Sequence, residues 1–447
     1  MRKGLVTALL LLCLFVFAAC KKDKTGEVTK GATNEKTEKQ FVSEDYNPGN
    51  KTKYLRPMMK TDKGFYYYNP VDKGLQYYDI AAKKTMFLCN KPECRHDGNE
   101  FCVATNGKYL HLYECLYNDV ILEYVTEETD TQYRFKVLSV ALDGSAMNEL
   151  ATTFTFEKTV EGFAIYQSFM YVHRNKAFLT MAGSGQAEQE EYYGAAILDL
   201  NTKEVTYLDE EPFGKNNEEV TKVTAKEDYF YYCRKEGKKL LLHRYNIVDG
   251  TDESFRLLPT FEGNYVVVDA DTVAYLKSAG NVVCTYRIST GQNKEQTRMM
   301  RQYYGYQIDG SYQKSEAMKE SMVTQLATDG TYIYAAEPLR EYADTEGIVV
   351  KREAYIHVLN QNLEEVLLAD MAEAATKLGY DDMEWERSSY TQMLRYMGDD
   401  IYWCLELKET PDSKDTSDLD WYVFHCNRSD FIAGNPKFEF AYRYEDH

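Results

Sequence analysis

Basic residues are few relative to acidic ones in this chain of 447 residues: 52 Lys and Arg stand against 71 Asp and Glu, and the formal net charge is −19. Arg2 and Lys3 contribute +2, and residues 21–55, with eight Lys and six acidic residues, contribute another +2. Residues 56–447 therefore carry −23. A surface of that charge repels phosphate backbones, which argues against nucleic acid as a partner. It also repels anionic lipid, so charge does not hold the protein at a membrane.

A segment long enough to span a membrane is also lacking. The uncharged residues that precede Cys20, residues 4–19, number 16, whereas a spanning helix needs roughly 20. This segment follows the positive pair Arg2 and Lys3 and ends in small residues. A positive head, a short apolar run and small residues at its end are typical of a signal peptide, which we assign to residues 1–19.

The end of that segment, Phe17-Ala18-Ala19-Cys20, resembles the lipidation motif of bacterial lipoproteins, in which two small residues precede an invariant Cys. The resemblance implies that signal peptidase II cuts before Cys20 and that the Cys20 thiol carries a diacylglycerol. It also implies that this lipid holds the mature chain on the extracytoplasmic face of the cell membrane.

Large apolar side chains are scarce in residues 20–53, where Lys, Glu, Thr and Gly dominate. Such a segment cannot bury enough apolar surface to offset the conformational entropy that is lost on ordering. We therefore expect residues 20–53 to be a lipidated Cys followed by a disordered tether. The folded domain is expected to span residues 54–447.

Tyrosine is what the chain has in excess, with 39 copies, and aromatic residues favour strands. A short turn followed by an aromatic or β-branched run recurs along the chain. For example, Lys63-Gly64 precedes the run at residues 65–68, and Glu227-Asp228 precedes the run at residues 229–232. The runs begin near residues 65, 120, 177, 229, 273, 332 and 401, which gives a mean step of 56 residues between the first and the last.

Each run is followed by a second strand that ends in a turn, and most are followed by a further short apolar strand. A unit of about four short strands that repeats every 40 to 60 residues is typical of a propeller blade. The sequence thus predicts an all-β fold, a β-propeller of seven four-stranded blades, with six or eight blades as alternatives. The pattern resembles the Tyr-rich β-propeller lipoproteins of Gram-positive anaerobes. The alternative architecture is a pair of β-sandwich domains.

The end of the chain predicts how the ring closes. Residues 437–444 alternate between apolar and polar side chains, with Phe438, Phe440, Tyr442 and Tyr444 on one face. Because a propeller avoids an open sheet edge, we expect this strand to share a blade with residues 54–59.

Four potential metal ligands follow the first predicted blade within a short segment, at Cys89, Cys94, His96 and Cys102. Three thiols and an imidazole can close a tetrahedral zinc site. An exported chain also permits disulfides, with Cys115 as a further partner, so the alternatives are one or two disulfides or free thiols.

Two stretches do not fit the blade repeat, residues 299–322 and residues 370–387. In the second, residues 371–379 read as a short helix. Insertions in repeat proteins tend to lie on one face, often the binding face, and aromatic rings beside carboxylates suit sugars or cationic peptides. The alternative interpretation is plain loop decoration. The candidate ligand-binding residues are Tyr303, Tyr304, Tyr306, Asp381, Asp382, Glu384 and Trp385.

Motifs of common enzymes are lacking. The chain has no Gly-x-Ser-x-Gly elbow, no P-loop and no His-Glu-x-x-His, and its seven His residues are spread thinly. The favoured function is a binding or interaction module that engages a glycan, a peptide or a protein. A structural component of the cell envelope and a carbohydrate-active hydrolase are the alternatives, because a fold alone assigns no function.

Overall fold

The repeating unit of the sequence folds as a four-stranded antiparallel sheet, and the computed structural model contains seven such sheets in chain order. The protein is an all-β, seven-bladed β-propeller, as the sequence predicts. The structure describes residues 59–69, 72–158, 163–185, 190–257, 261–277, 282–295, 302–307, 313–320, 323, 325–337, 340–343, 349–379, 394–397, 399–408 and 419–446.

Each blade consists of four strands that follow one another in chain order, and in blade 6 a two-stranded hairpin is inserted between the second and third strands. The strands are Met59–Lys60, Gly64–Asn69, Gly74–Asp79 and Lys84–Phe87 in blade 1; Tyr109–Tyr117, Val120–Glu128, Gln132–Ala141 and Met147–Glu157 in blade 2; Ala164–His173, Lys176–Ser184, Glu191–Asp199 and Val205–Tyr207 in blade 3; Val220–Lys226, Tyr229–Glu236, Lys239–Asn246 and Asp252–Phe255 in blade 4; Phe261–Val267, Thr272–Lys277, Val283–Arg287 and Gln292–Glu295 in blade 5; Gln325–Thr328, Ile333–Ala336, Tyr355–Leu359 and Glu365–Asp370 in blade 6; and Leu394–Met397, Asp400–Lys408, Leu419–Asn427 and Glu439–Asp446 in blade 7.

Two further hairpins and two short helices complete the described elements. One hairpin, Gln302–Gln307 with Gln313–Glu320, lies between blades 5 and 6. The other, Arg340–Ala343 with Val349–Glu353, lies within blade 6. Helix α1 is Met371–Lys377, which confirms the predicted helix, and helix α2 is Arg428–Ile432. Among the described residues, no helix has both the length and the apolar character needed to cross a membrane.

The second strand of a blade is rich in aromatic and aliphatic residues because both of its faces are buried. In blade 4, Phe230 and Tyr232 pack toward blade 3, beside Phe178. Tyr231 and Cys233 point the other way and pack toward blade 5. Since successive side chains of a strand point to opposite faces, a strand packed between two neighbouring blades needs apolar residues at every position.

The first strand of each blade is the innermost. From blade 1 to blade 6, this strand contacts the first strand of the following blade. The fourth strand lies at the outside, where all four residues of Gln292–Glu295 are exposed. The polar outer strands therefore give a weaker hydrophobic signal than the second strands.

The two faces of the ring differ in the length of their connections. In an antiparallel meander, the connection between strands 2 and 3 and the connection leaving strand 4 start from the same edge of the blade. We call this edge the insertion face, and the edge with the other turns the turn face. The long connections of the insertion face are residues 88–108, 208–219, 296–324, 337–354 and 371–393.

Connections on the turn face are short. Residues 118–119, 174–175 and 227–228 each join strands 1 and 2 of a blade, and residues 247–251 join strands 3 and 4 of blade 4. The longest connection there, residues 428–438, contains helix α2. The extra sequence between the repeats is thus concentrated on the insertion face.

The expected exchange of strands between the first and last blades was wrong for the residues that the structure describes. Strand Glu439–Asp446 pairs with Leu419–Asn427, so blade 7 is completed by its own sequence. Met59 instead pairs with Tyr66 in blade 1. The physical reason is that Leu394–Met397 already supplies the innermost strand of blade 7, which leaves no vacant position. Residues 54–58 lie outside the described part of the chain.

Candidate metal centre

The connection from blade 1 to blade 2, residues 88–108, carries the four potential metal ligands and is built from turns rather than from helix or strand. The backbone N–H of Cys94 donates to the carbonyl of Lys91 at 3.1 Å, and that of Cys102 donates to the carbonyl of Asn99 at 3.1 Å. These two turns fold the chain back so that thiols distant in sequence approach one another.

The four side chains converge. One ligand atom from each of Cys89, Cys94, His96 and Cys102 lies within 4.8 Å of every other, and His96 Nδ1 is 3.5 Å from Cys102 Sγ. Ligands that surround a zinc ion tetrahedrally at about 2.3 Å lie roughly 3.8 Å apart. The spacing in the protein is close to this value, so the cluster can hold a metal ion, in agreement with the sequence prediction.

The backbone conformation of His96 and the stacking of its ring both fix the position of the imidazole. The φ of His96, +54°, is in the left-handed region, which is uncommon for a residue with a side chain. The imidazole stacks on Phe87, the last residue of blade 1, with ring centroids 4.6 Å apart and an interplanar angle of 29°. A fixed ring orientation of this kind is typical of a positioned ligand rather than of a mobile surface His.

Cys102 is the innermost thiol and has no solvent exposure. The backbone N–H of Thr105 donates to Cys102 Sγ at 3.4 Å. Burial by itself raises the pKa of this thiol, but hydrogen bonds from Thr105 and His96 outweigh burial and lower the pKa to about 6. Cys102 is therefore mostly a thiolate at neutral pH, the form that binds metals.

The pKa of the Cys94 thiol is shifted in the opposite direction. The backbone N–H of His96 lowers the pKa of the Cys94 thiol, but burial and the neighbouring thiols of Cys102 and Cys89 outweigh it and raise the pKa. Thiolates this close repel one another, and a bound cation removes that repulsion. The electrostatics of the cluster thus favour a cation among the three sulfurs.

The segment around Cys89 lies against blade 2 at Gly144. A Cβ atom added to Gly144 would lie 2.7 Å from the backbone N of Cys89 and from the carbonyl carbon and oxygen of Leu88. The φ of Gly144 is +66°, which other residues rarely adopt. Only glycine therefore allows this close approach of blade 2 to the ligand loop, a requirement that sequence analysis had not identified.

The loop also contributes to the core between blades 1 and 2. Leu88 and Val103 are buried with Tyr66 of blade 1 and with Ile121 and Val140 of blade 2. The backbone carbonyl of Ala104 accepts a hydrogen bond from Leu75 N of blade 1 at 2.9 Å. The four ligands thus lie in a loop that is packed against two blades at once.

The other cysteines lie apart from the cluster. Cys115 is in the first strand of blade 2, and its side chain packs with the apolar cluster shared with blade 3. Burial raises its pKa, so it remains a thiol. All seven cysteines that the structure describes with their side chains, Cys89, Cys94, Cys102, Cys115, Cys233, Cys284 and Cys426, are free thiols. The convergent arrangement is thus present without a disulfide to Cys115.

A surface pocket of about 740 Å³ borders the cluster on its solvent side. Cys94 belongs to its wall, and Phe101, at its rim, is 72 % exposed. The amine of Lys91 donates to the carbonyl of Phe101 across the loop. The pocket is lined by Lys91, Pro92, Glu93, Cys94, Arg95, Asp97, Asn99 and Phe101.

The tyrosines proposed as ligand-binding residues lie in a described element. Tyr303, Tyr304 and Tyr306 belong to strand Gln302–Gln307, which pairs with Gln313–Glu320 in a two-stranded hairpin on the insertion face. The hairpin agrees with the sequence-based assignment of this stretch as an insertion. It remains a prediction that these residues bind a ligand.

The other candidate residues fall outside the described part of the chain. These are Cys20, Asp381, Asp382, Glu384 and Trp385. The four from Asp381 to Trp385 belong to the connection between blades 6 and 7, of which the structure describes residues 371–379.

No protein-family model matches this sequence, and no curated protein sequence matches it either. Solved structures resemble it at low levels of similarity. An uncharacterized protein of Listeria monocytogenes is 8 % identical with a TM-score of 0.40, covering 75 % of this chain and 83 % of that chain.

Two further structures are similar at comparable levels. The oligogalacturonate lyase of Vibrio parahaemolyticus is 9 % identical with a TM-score of 0.39, covering 68 % of this chain and 76 % of that chain. The β-propeller domain of the Trilobed protease from Pyrococcus furiosus is 10 % identical with a TM-score of 0.36, covering 76 % of this chain and 98 % of that chain. The fold assignment rests on the sheet order of the chain itself.

Proposed function

We propose that the chain is an exported lipoprotein, anchored to the cell membrane through Cys20, whose propeller acts as a binding or interaction module on the extracytoplasmic side. The motif at residues 17–20 supports the anchor, because an export signal ends directly at a Cys. The net charge of −23 in residues 56–447 leaves the lipid as the attraction that holds the protein at an anionic membrane.

The observation that carries the binding function is the asymmetry of the ring. Long connections are concentrated on the insertion face, whereas the turn face has mostly short turns. Loops on a rigid scaffold vary with little effect on the core, and binding residues accumulate there. A purely structural ring has no need for such one-sided elaboration.

The chemistry of the insertions suits a polar ligand with flat faces. Tyr303, Tyr304 and Tyr306 lie in one inserted strand, and the sequence that follows helix α1 contains Asp382 and Trp385. Aromatic rings stack on sugars and carboxylates accept their hydroxyl donors, and the same groups also suit cationic peptides. We therefore propose a glycan, a peptide or a protein surface as the partner.

A structural zinc ion is proposed at Cys89, Cys94, His96 and Cys102. Four protein ligands within 4.8 Å of one another fill a tetrahedral shell and leave no position for a substrate. Such an ion would cross-link a loop that otherwise has little regular structure, and would fix it between blades 1 and 2.

A glycan array probed with the full mature chain, together with binding to isolated cell envelopes, tests the module. The Tyr303→Ala, Tyr304→Ala, Tyr306→Ala triple variant should lose binding. Val248→Ala is the matched control, because Val248 is 74 % exposed in a turn of the opposite face, and it should bind as the wild type does.

The same experiment separates the alternatives. Cleavage of an arrayed glycan would favour a carbohydrate-active hydrolase. Equal binding of wild type, triple variant and control would contradict the use of the insertion face. A chain that binds neither glycans nor envelope components would favour a structural role in the cell envelope.

A further inference from the structure

We infer that the Cys89, Cys94, His96, Cys102 cluster is a redox-controlled metal site, in which a peroxide oxidises Cys94 and the metal is released. The inference rests on the zinc site and the exported location proposed above. It joins metal binding and disulfide formation as two states of one site.

The three thiols differ in their access to the pocket, since Cys89 and Cys94 are both half-buried but only Cys94 belongs to the pocket wall. Cys102 is fully buried and lies beneath the loop. Cys94 is half-buried and belongs to the wall of the pocket of about 740 Å³. That volume admits hydrogen peroxide readily, since a water molecule occupies about 30 Å³ of liquid. Cys94 is therefore the sulfur that a small oxidant reaches from this pocket.

Two thiols lie close enough to Cys94 to serve as its disulfide partner. The Cys94 sulfur lies within 4.8 Å of the sulfurs of both Cys89 and Cys102. Forming a disulfide requires the sulfurs to approach to about 2.05 Å. The loop that carries Cys94 has no regular secondary structure to oppose this movement.

The chemistry balances with a peroxide as the oxidant. The Cys94 sulfur attacks one oxygen of hydrogen peroxide, the O–O bond breaks, and Cys94 becomes a sulfenic acid with release of one water after protonation. The thiol of Cys89 or Cys102 then attacks the Cys94 sulfur and displaces its hydroxyl as a second water. Two thiols are oxidised to a disulfide, and one peroxide is reduced to two waters.

Oxidation removes two of the four ligands, and the remaining thiol and imidazole cannot fill a tetrahedral shell. The metal then leaves as the divalent ion. Reduction of the disulfide restores the set of three thiols and His96, so the change is reversible by a dithiol reductant.

The test uses the full mature chain, reduced and loaded with Zn²⁺. Hydrogen peroxide is added, zinc release is followed with a chelating dye, and disulfides are mapped by mass spectrometry. We expect the loss of one zinc and two thiols per chain, a disulfide that contains Cys94, and renewed zinc binding after reduction. Cys94→Ser, which also lacks a zinc ligand, is compared per zinc ion bound before peroxide is added, and it should lose the peroxide-dependent release; Cys115→Ser, which alters a thiol outside the cluster, should behave as the wild type.

Zinc that stays bound while peroxide oxidises the chain, or a mapped disulfide that lacks Cys94, would overturn the switch and leave the zinc site intact. A fully reduced chain that binds no zinc would instead overturn the proposed metal site, and the switch with it. The two failures are thus distinguished by the first measurement of metal content.

Discussion

His357 Nε2 lies 2.7 Å from Glu337 Oε1, and both side chains are buried within blade 6. The other ring nitrogen, Nδ1, lies 2.6 Å from the carboxylate of Glu365 on the outer strand. Burial alone lowers the pKa of His357, but the hydrogen bonds to Glu337 and Glu365 outweigh burial and raise it. The two carboxylates thus favour the protonated form of the His357 imidazole.

This triad predicts a pH dependence of stability. A raised pKa in the folded state means that protonated His357 contributes its full stabilisation below the unfolded pKa of about 6.5 and loses it as pH rises through the raised value. His357→Gln should remove the decrease in stability that accompanies rising pH. It should also destabilise the protein by about 3–5 kcal/mol near neutral pH, because Glu337 loses its buried partner. Urea unfolding between about pH 6 and 9 measures both effects. A variant with an unchanged pH slope would contradict the assignment.

Metal content should depend on the ligand side chain of His96 rather than on its backbone. Wild type purified in reductant is expected to contain one zinc per chain. His96→Asn should lower the occupancy, and it isolates the ligand because Asn tolerates the left-handed φ of +54°. His425→Ala, in blade 7, is the control and should keep its zinc. Elemental analysis decides the matter, and full occupancy in His96→Asn would remove His96 from the ligand set.

The contact at Gly144 predicts an effect beyond backbone strain. Gly144→Ala should cost stability through its φ of +66° and also through a Cβ placed 2.7 Å from the backbone of Leu88 and Cys89. Gly237→Ala is a matched control, since Gly237 has a φ of +60° and nothing within 4 Å of its added Cβ.

Gly237→Ala should therefore show only the cost of the left-handed conformation, about 1–3 kcal/mol. Gly144→Ala should lose more than this and should also bind zinc less tightly. Equal losses in thermal unfolding, together with unchanged zinc affinity, would show that the approach of Gly144 to the loop has no energetic role.

Anchoring should depend on the sulfur of Cys20. Cys20→Ala is expected to leave an uncleaved precursor and to abolish labelling with a lipid precursor, because the thiol is the acceptor in the proposed modification. Cys13→Ala, seven residues earlier in the signal segment, should be cleaved and labelled normally. Normal labelling of Cys20→Ala would end the lipoprotein interpretation.

The seven aromatic runs in the sequence correspond to the second strands of the seven blades. The predicted starts near residues 65, 229 and 401 fall in strands Gly64–Asn69, Tyr229–Glu236 and Asp400–Lys408. These strands could be predicted because both of their faces are buried, which makes them rich in aromatic and aliphatic residues. The blade number followed directly from that count.

Other parts of the fold were not readable because their sequences carry no such signal. The hairpin Arg340–Ala343 with Val349–Glu353 interrupts blade 6 and was not predicted. Its strands contain several charged residues, as in Val349–Glu353, and resemble an exposed loop in composition. Exchange of strands at the ring closure was expected from a general rule about sheet edges, whereas in the described residues the last strand, Glu439–Asp446, pairs within blade 7.

For the metal cluster, the sequence predicted which residues could be ligands but not that they converge on one site. Spacing placed Cys89, Cys94, His96 and Cys102 close in sequence, but it left disulfides and metal as alternatives. Their convergence depends on two turns and on the approach of Gly144, which lies far along the chain in blade 2. Long-range contacts of this kind follow from the packing of the blades, and local sequence does not record them.

In the described part of the chain, each four-stranded blade is formed without a strand exchanged from another blade. Among the described residues, no backbone hydrogen bond joins blade 1 to blade 7, and we expect the junction between these blades to open more readily than the others. On heating, blade 1 is expected to peel away first, and its amide protons should exchange earlier than those of blade 4. The ligand loop connects blade 1 to blade 2, on the side of blade 1 that faces away from blade 7. Loading the cluster with metal should therefore slow the separation of blade 1 from the ring.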